Sequence, residues 1–465
     1  MSRLRLQLAA AAVFLLAWTQ SSALEPRGES GVLPIDPPTP YIHYLNPAAG
    51  AAAPQRVLVV HGLDVSKEVM RLMSAALADG GFDVYAIDLP GHGDSVAHFR
   101  TEVAQQAIRN AKAYLGEKTI VVGHSLGAGL LLDLAATDQF STVVLLSPPP
   151  ISISEIHAER VLIATGAIDV PRILAFVPIA SDIGGPRVES WILPWGAHSA
   201  PIFNPRYVRR VVEWLGGDGG KTRTIARMVW IVVMLASAVG LGVALLPGKP
   251  VPAVDIPLAT ALARYAAAFS VALFVLKVVN PLQWLGLFAT DYLIGFFLVT
   301  GLCVCGIALR NTGTQKANGG WWKAVGAAAF VILVPGMLAG SHVLHMSLTD
   351  GRWWRFPCIA LAGLPFFISD ELMLRPMPSR RRSEIAALLT RGLLLAFLLT
   401  GVLTLNRENA FLVLIIPLLV IFWIALWFLA GVVHRHTQNA FAAALFSALV
   451  QGWAFAAWFV TIGNP

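Results

Sequence analysis

The sequence predicts an α/β fold, a mainly parallel sheet sandwiched by helices, followed by an all-α transmembrane bundle of about eight helices. Three observations carry this. Strand-like and helix-like segments alternate from Val57 to Trp214. One strand-to-helix junction is the pentapeptide Gly123-His124-Ser125-Leu126-Gly127. Beyond about residue 220, long apolar runs replace the mixed composition of the first part. The 465 residues are 56% hydrophobic and only 13% charged, with mean hydropathy +0.67, a balance that needs a membrane.

Residues 1–23 combine basic Arg3 and Arg5, an apolar run from Leu6 to Trp18 and small residues at Ser21-Ser22-Ala23. That pattern reads as a signal peptide or an N-terminal anchor, and either delivers the next domain outside the cytoplasm. Residues 24–55 are rich in Pro and Ala and read as a spacer, with a candidate edge strand at Tyr41–Tyr44. The α/β domain then occupies 56–215. Apolar runs predict strands at Val57–Val60, Phe82–Ile87, Lys118–Val122, Thr142–Leu146, Val161–Ala164 and Val188–Leu193. Helical spacing covers Ser66–Ala78, Thr101–Leu115, the stretch after Gly127, and Asn204–Leu215. Residues 216–224 are a Gly-rich flexible linker, and 225–465 form the multi-pass domain.

Candidate spans are 225–246, 259–279, 284–309, 324–344, 356–374, 386–405, 410–433 and 440–462, each near the twenty residues a bilayer requires. Trp321-Trp322 and Trp353-Trp354 fit interfacial belts, while Asp370-Glu371 sits uneasily in its span. Asp291 lies inside a span and is expected to pair with Arg264 or Arg391. Arg310, Lys316, Lys323, Arg375, Arg380, Arg381, Arg382 and Arg435 fall in alternate loops. The positive-inside rule makes those loops cytoplasmic and places the α/β domain outside the cell membrane, periplasmic or extracellular. Arg352, Arg355 and Arg407 on the opposite side run against the bias.

The net charge of +7 therefore reports topology rather than a nucleic-acid surface. Cys303, Cys305 and Cys358 all lie in apolar runs, so the exported domain has no disulfide, and no metal or redox role is expected of them. His342 and His345 share a helix face but have no third ligand in view. Neither a metal nor a cofactor is expected.

The chemistry concentrates around Ser125. A G-x-S-x-G between a strand and a helix forces a sharp, strained turn that lifts the serine hydroxyl clear of the sheet. Its flanking glycines are needed where strand and helix pass too close for a Cβ. A hydroxyl becomes a nucleophile when a base takes its proton and an acid orients that base. In chain order after Ser125, the first suitable acid after a strand is Asp169 and the next suitable base is His198. Asp169 could instead cap a turn before Pro171, which leaves Asp182 as the reserve acid. An oxyanion needs two backbone N–H donors, assigned to Leu126 and to Leu63 in the His61-Gly62-Leu63-Asp64 loop. His61, Gly62 and His124 are candidates for the substrate pocket, and His61 also reads as a turn-shaping residue. Asp88, His92, Asp64 and Asp94 read as turn-shaping or rim residues.

These segments together resemble the α/β-hydrolase family. The matching pieces are the His61-Gly62 turn, Asp88-Leu-Pro-Gly-His-Gly-Asp-Ser95, the elbow at Ser125, Gly166-x-x-Asp169 and Gly196-x-His198, in family order over about a third of the chain. The resemblance implies an α/β-hydrolase-type domain with Ser125 as nucleophile, His198 as base and Asp169 as acid. It implies a membrane-anchored serine hydrolase, esterase/lipase-like or peptidase-like, that cleaves an ester, thioester or amide bond of a small-molecule or lipid substrate. The short interval between Ser125 and His198 departs from the family pattern and implies a minimal cap. Two other functions fit the same residues: an acyltransferase using the same acyl-enzyme, and a transporter or sensor whose hydrolase-like domain only binds ligand.

Overall fold

The structure, a computed structural model, describes residues 3–26, 28–45, 54–246, 248–279, 284–311, 320–335 and 344–462. Its first part is built on one eight-stranded sheet: β1 (Gly28–Leu33), β2 (Thr39–Tyr44), β3 (Arg56–Val60), β4 (Asp83–Ile87), β5 (Ile120–His124), β6 (Phe140–Leu146), β7 (Ala158–Gly166) and β8 (Val188–Leu193). The spatial order is β1-β2-β4-β3-β5-β6-β7-β8, parallel from β4 to β8 with an antiparallel hairpin at one edge.

Val57 to Val60 are all fully buried because β3 is central and covered on both faces, which is why it reads as an unbroken apolar run. Helices α2 (Arg71–Asp79), α3 (Thr101–Leu115), α4 (Leu126–Ala135), α5 (Pro171–Gly184), α6 (Ala200–Phe203) and α7 (Pro205–Trp214) cover those faces. In α3 the buried positions Ala104, Ala107, Ile108, Ala111 and Leu115 form one stripe against the sheet. The interval after β6, residues 147–157, holds no helix, so no cap is inserted there.

Two boundaries differ from the sequence reading. The stretch assigned to a spacer contributes both strands of the β1–β2 hairpin, with Tyr44 and Leu33 in the core. The supposed flexible linker is packed: Asp218 N donates to Gly80 O, and Arg223 N donates to the Asp79 carboxylate at the end of α2.

The second part is helical. With α1 (Arg3–Leu24) at the N-terminus, it comprises α8 (Thr224–Leu245), α9 (Leu258–Val279), α10 (Thr290–Asn311), α11 (Trp321–Pro335), α12 (Arg355–Met373), α13 (Arg380–Thr400), α14 (Leu412–Thr437) and α15 (Ala440–Trp458). Among the described residues, eight of these nine are long and apolar enough to cross a membrane; α11, of 15 residues, is the exception. The predicted span 324–344 runs into 336–343, which lie outside the described residues.

Successive helices alternate in direction. One end gathers the loops around 285–291, 352, 405–406 and 459–462, tied by Arg352 to Phe459 O and by Lys277 to Leu405 O. The other gathers 249, 254, 376 and 435, through Lys249 N to Arg435 O and Val254 N to Pro376 O. The α/β domain sits at the first end.

The membrane-depth charges are paired, though not as expected. Arg391 and Asp370 form an ion pair, and Tyr265 Oη donates to the same carboxylate at 2.7 Å. Glu371 takes Arg375 at 2.9 Å and His434 at 2.6 Å. Asp291 pairs with neither Arg264 nor Arg391; it begins α10 and accepts the Leu285 N–H at 2.9 Å. Thus α12 tolerates Asp370 and Glu371 because cationic partners neutralise both.

α1 lies antiparallel along α8. Gln7 reaches Ala244 O, Arg227 reaches Leu24 O, and Phe14 and Ala17 pack on Met234 and Ala238.

Candidate active site

Parallel strands deliver their following loops to one edge of a sheet, and that is where functional side chains collect. Ser125 follows β5 with φ 51° and ψ −116°, a strained conformation for a residue bearing a Cβ, costing about 1–3 kcal/mol. Both elbow glycines are sterically required. A Cβ on Gly123 would stand 2.7 Å from Ala128 N, and one on Gly127 would stand 2.6 Å from His61 O. Gly127 N donates to that same His61 carbonyl, which fastens the elbow to the loop after β3.

Asp169 follows β7, and His198 follows β8. His198 Nε2 lies 2.8 Å from Ser125 Oγ, and His198 Nδ1 lies 2.9 Å and 3.1 Å from the two Asp169 oxygens. The three residues chosen from chain order therefore form one hydrogen-bonded line. Asp182, in α5, is not needed for it.

Asp169 is further held by Thr165 Oγ1 at 2.7 Å and Val170 N at 2.7 Å. Burial alone would push its carboxyl up, but the hydrogen bonds from His198 and Thr165 with the attraction of the imidazole hold it below the usual carboxylate range. The two loops touch: a Cβ on Gly166 would meet Gly196 O at 2.0 Å, and Ile168 N donates to that carbonyl.

The His198 backbone is pinned as well. Its carbonyl accepts Ser147 Oγ–H at 2.9 Å and lies 3.3 Å from His124 Nε2. Burial, then the neighbouring His198, lowers His124 to about 3, which favours a neutral ring near pH 7. Ser147 and Thr165 escaped the sequence reading. The signal available was their position at or just past the C-terminal ends of β6 and β7.

Leu126 and Leu63 are the proposed oxyanion donors. Leu126 N begins α4, where a helix leaves its first N–H groups without intrahelical partners. The loop carrying Leu63 passes over the serine: a Cβ on Gly62 would be 3.1 Å from Ser125 Cβ.

Of the two roles open to His61, its contacts fit the turn and not the pocket. It is fully buried, its Nε2 accepts Leu89 N–H at 3.0 Å, and its Nδ1 lies 2.7 Å from Gly62 O. Both ring nitrogens are spent on loop structure, and burial lowers its pKa. His61 therefore shapes the turn and does not line a pocket with a free polar edge.

Beside the triad geometry, Lys67 anchors the loop after β4. Its Nζ lies 2.5 Å from Asp88, 2.6 Å from Asp94 and 3.2 Å from Glu68. Burial opposes its charge, but the three carboxylates raise its pKa above the ordinary lysine value. Glu68 and Asp94 with His345 are the described residues whose donor atoms cluster closely enough for a metal. The ammonium already supplies the cation there.

Residues 57–285 match the alpha/beta hydrolase family. The chain thus carries an α/β-hydrolase domain, joined to a helical region with membrane-length apolar helices. It is 31% identical over 91 residues to a Mycobacterium phage D29 protein named as a non-heme haloperoxidase. That match spans 19% of this chain and only 32% of the phage protein. Solved structures similar to it include carboxylesterase CesB from Bacillus subtilis, 18% identical with a TM-score of 0.36, covering 45% of this chain and 100% of that one. Another is the monoacylglycerol lipase of Paleococcus ferrophilus, 21% identical with a TM-score of 0.33, covering 38% and 97%.

Proposed function

We propose that the protein is a membrane-embedded serine hydrolase that cleaves an acyl bond through Ser125, His198 and Asp169. The observation carrying this is the continuous line from Ser125 Oγ through both nitrogens of His198 to Asp169. In the reaction, Ser125 Oγ attacks the acyl carbon while His198 Nε2 takes the hydroxyl proton. Asp169 fixes the Nδ1–H tautomer and stabilises the imidazolium. The N–H groups of Leu126 and Leu63 receive the developing oxyanion. His198 then returns the proton to the leaving alcohol, thiol or amine, and an acyl-enzyme remains. Water repeats the sequence: His198 takes its proton, the hydroxyl adds to the acyl carbon, and the acid leaves as Ser125 regains its hydrogen.

The surroundings favour an apolar acyl group. Ile168, beside the acid, is 62% exposed, and Trp195, three residues before the base, is 90% exposed. Such side chains at a site joined to a membrane bundle suit a lipid or lipid-like ester.

The test uses the full chain in membranes. A fluorophosphonate probe should label the wild type and not Ser125→Ala, and Ser125→Ala should lose hydrolysis of a short-chain p-nitrophenyl ester. Labelling that persists in the variant would overturn the assignment.

A further inference from the structure

Two cavities meet at the end of the helical bundle farthest from the α/β domain. One, of about 340 Å³, is a trough between α13 and α14, lined by Ile385, Leu388, Leu395, Val420, Ile424 and Phe428. The other, of about 420 Å³, is basic, with Lys249, Arg375, Arg380 and Arg435 against Glu384. They share Glu384, Trp427 and Phe428, so they are halves of one site.

The basic half carries uncompensated charge. Arg375 is matched by Glu371 and Arg380 by Glu384, whereas Lys249 and Arg435 make no ion pair among the described residues. A Cβ on Gly431 would lie 2.7 Å from Arg375 Nη1 and 3.3 Å from Arg435 Nη1, so two guanidinium groups converge there, and of the two only Arg375 has an ion-pair partner among the described residues. Like charges so placed call for an anion.

Arg391 lines the apolar trough, and its buried Nη1 has no hydrogen-bond partner among the described residues. Arg375 and Arg391 lie over the same Trp427 ring, at 3.4 and 5.7 Å from its centre. A polar donor thus sits inward of the cationic cluster, with apolar surface of the trough around it.

We propose that this is a binding site for an anionic phospholipid. The phosphate takes Lys249 and Arg435, an acyl ester oxygen takes the free Arg391 N–H, and the chain fills the trough. The exposure of Leu388, Ile424 and Phe428 gives the lipid lateral entry from the bilayer.

The test compares phosphatidylglycerol and phosphatidylcholine of identical chains, added to delipidated full-length protein and followed by thermal shift and native mass spectrometry. The wild type should bind phosphatidylglycerol preferentially. Lys249→Gln with Arg435→Gln should lose about thirtyfold of that preference, since each cation near a membrane surface changes binding about fivefold. Leu388→Trp, which fills the trough, should weaken both lipids, and Lys249→Arg with Arg435→Lys should keep the preference. Equal binding of the two lipids by the wild type, or undiminished preference in the Gln variant, overturns the proposal.

A separate set of contacts joins the bundle to the catalytic edge. The segment after α15 runs into the domain: Val460 N donates to Asp64 Oδ1 at 2.8 Å, Thr461 N to Gly91 O at 2.9 Å, and Phe99 N to Thr461 O at 2.9 Å. Buried Arg352 ties Gly91 O to Phe459 O at 2.7 and 2.6 Å. Gly91 has φ +79°, and a Cβ there would stand 2.4 Å from Thr461 O, so this glycine is needed where the segment docks. Asp64 is the neighbour of Leu63.

We infer, resting on the reaction proposed above, that Asp64 is a positioning residue through which the bundle holds the oxyanion loop. Asp64→Ala, and separately deletion of 460–465, should lower kcat by about tenfold to a hundredfold with little change in KM, short of the hundredfold or more lost with a whole oxyanion donor. Asp64→Asn keeps the acceptor and should keep kcat. Wild-type kcat in Asp64→Ala sinks this inference alone; an unlabelled wild type sinks the reaction beneath it.

Discussion

At the scale of single residues, the site is a set of short hydrogen bonds whose partners differ in what they contribute. Asp169 orients His198 directly, so Asp169→Asn should cut kcat by about three to four orders of magnitude, the size expected when the base is left in the wrong tautomer. Ser147 acts one step removed, through the His198 carbonyl. Ser147→Ala should cost much less, about tenfold in kcat with KM preserved, as measured on the same ester. Asp64 gives a pH signature of stability. Burial pushes its carboxyl up to about 8, against the bonding from Val460 N and the charge of Arg352, so the folded protein keeps a proton that the unfolded chain has lost. Between about pH 4 and 8 the native state binds more protons than the unfolded state, and stability therefore falls as pH rises, by at most about 1.4 kcal/mol per unit. Asp64→Asn should flatten that slope in thermal inactivation measured from pH 5 to 8. An unchanged slope would assign the titration to another group. Ser125, Asp169 and His198 were legible because each follows an apolar strand and their chain order matches a known arrangement. Asp64, Arg352 and His345 were not, since their partners lie 261 to 396 residues away or on another element with no periodic pattern linking them.

At the scale of elements, apolar runs gave the central strands to within a few residues, because β3, β5 and β6 are buried on both faces and need no alternation. Strand β2 is anticipated at Tyr41–Tyr44, whereas β1 hides behind Gly28, Gly31 and Pro34, which read as a loop. It sits at the sheet edge, where such residues are tolerated. α1 is the other element whose sequence is ambiguous, since a cleaved leader and a retained helix share the same apolar core. Its packing favours retention. Met234 on α8 is fully buried with Phe14 and Ala17 against it, and buried Arg227 satisfies Leu24 O and Asp79 together. Removing α1 would leave that guanidinium short of an acceptor and expose Met234. N-terminal sequencing of the protein purified from membranes should find residues 1–24 present, and Phe14→Arg should reduce the yield of membrane-integrated protein. A mature terminus near Leu24 would refute this reading.

At the scale of the whole molecule, the two ends of the bundle differ in what their basic residues do. At the end beside the α/β domain, Arg352 and Arg355 are consumed by backbone carbonyls at Gly91, Ala456, Phe459 and Leu285, so they belong to the protein interior. At the far end, Arg380, Arg381 and Arg382 are exposed, and Lys249 and Arg435 lie near them without ion-pair partners among the described residues. The loop cations that seemed to contradict the positive-inside bias are thus largely internal ties, and the bias sharpens once they are set aside. We propose the orientation that this bias favours, with the far end in the cytoplasm and the sheet outside it. In a background with the three native cysteines replaced by serine, a membrane-impermeant maleimide should label Glu117→Cys, on the far side of the sheet, in intact cells. Arg381→Cys should react only after permeabilisation. The reverse pattern would turn the molecule over, placing Ser125 in the cytoplasm and the proposed phospholipid site in the outer leaflet. It would leave the hydrogen bonds of the site untouched while changing which pool of acyl substrates reaches them.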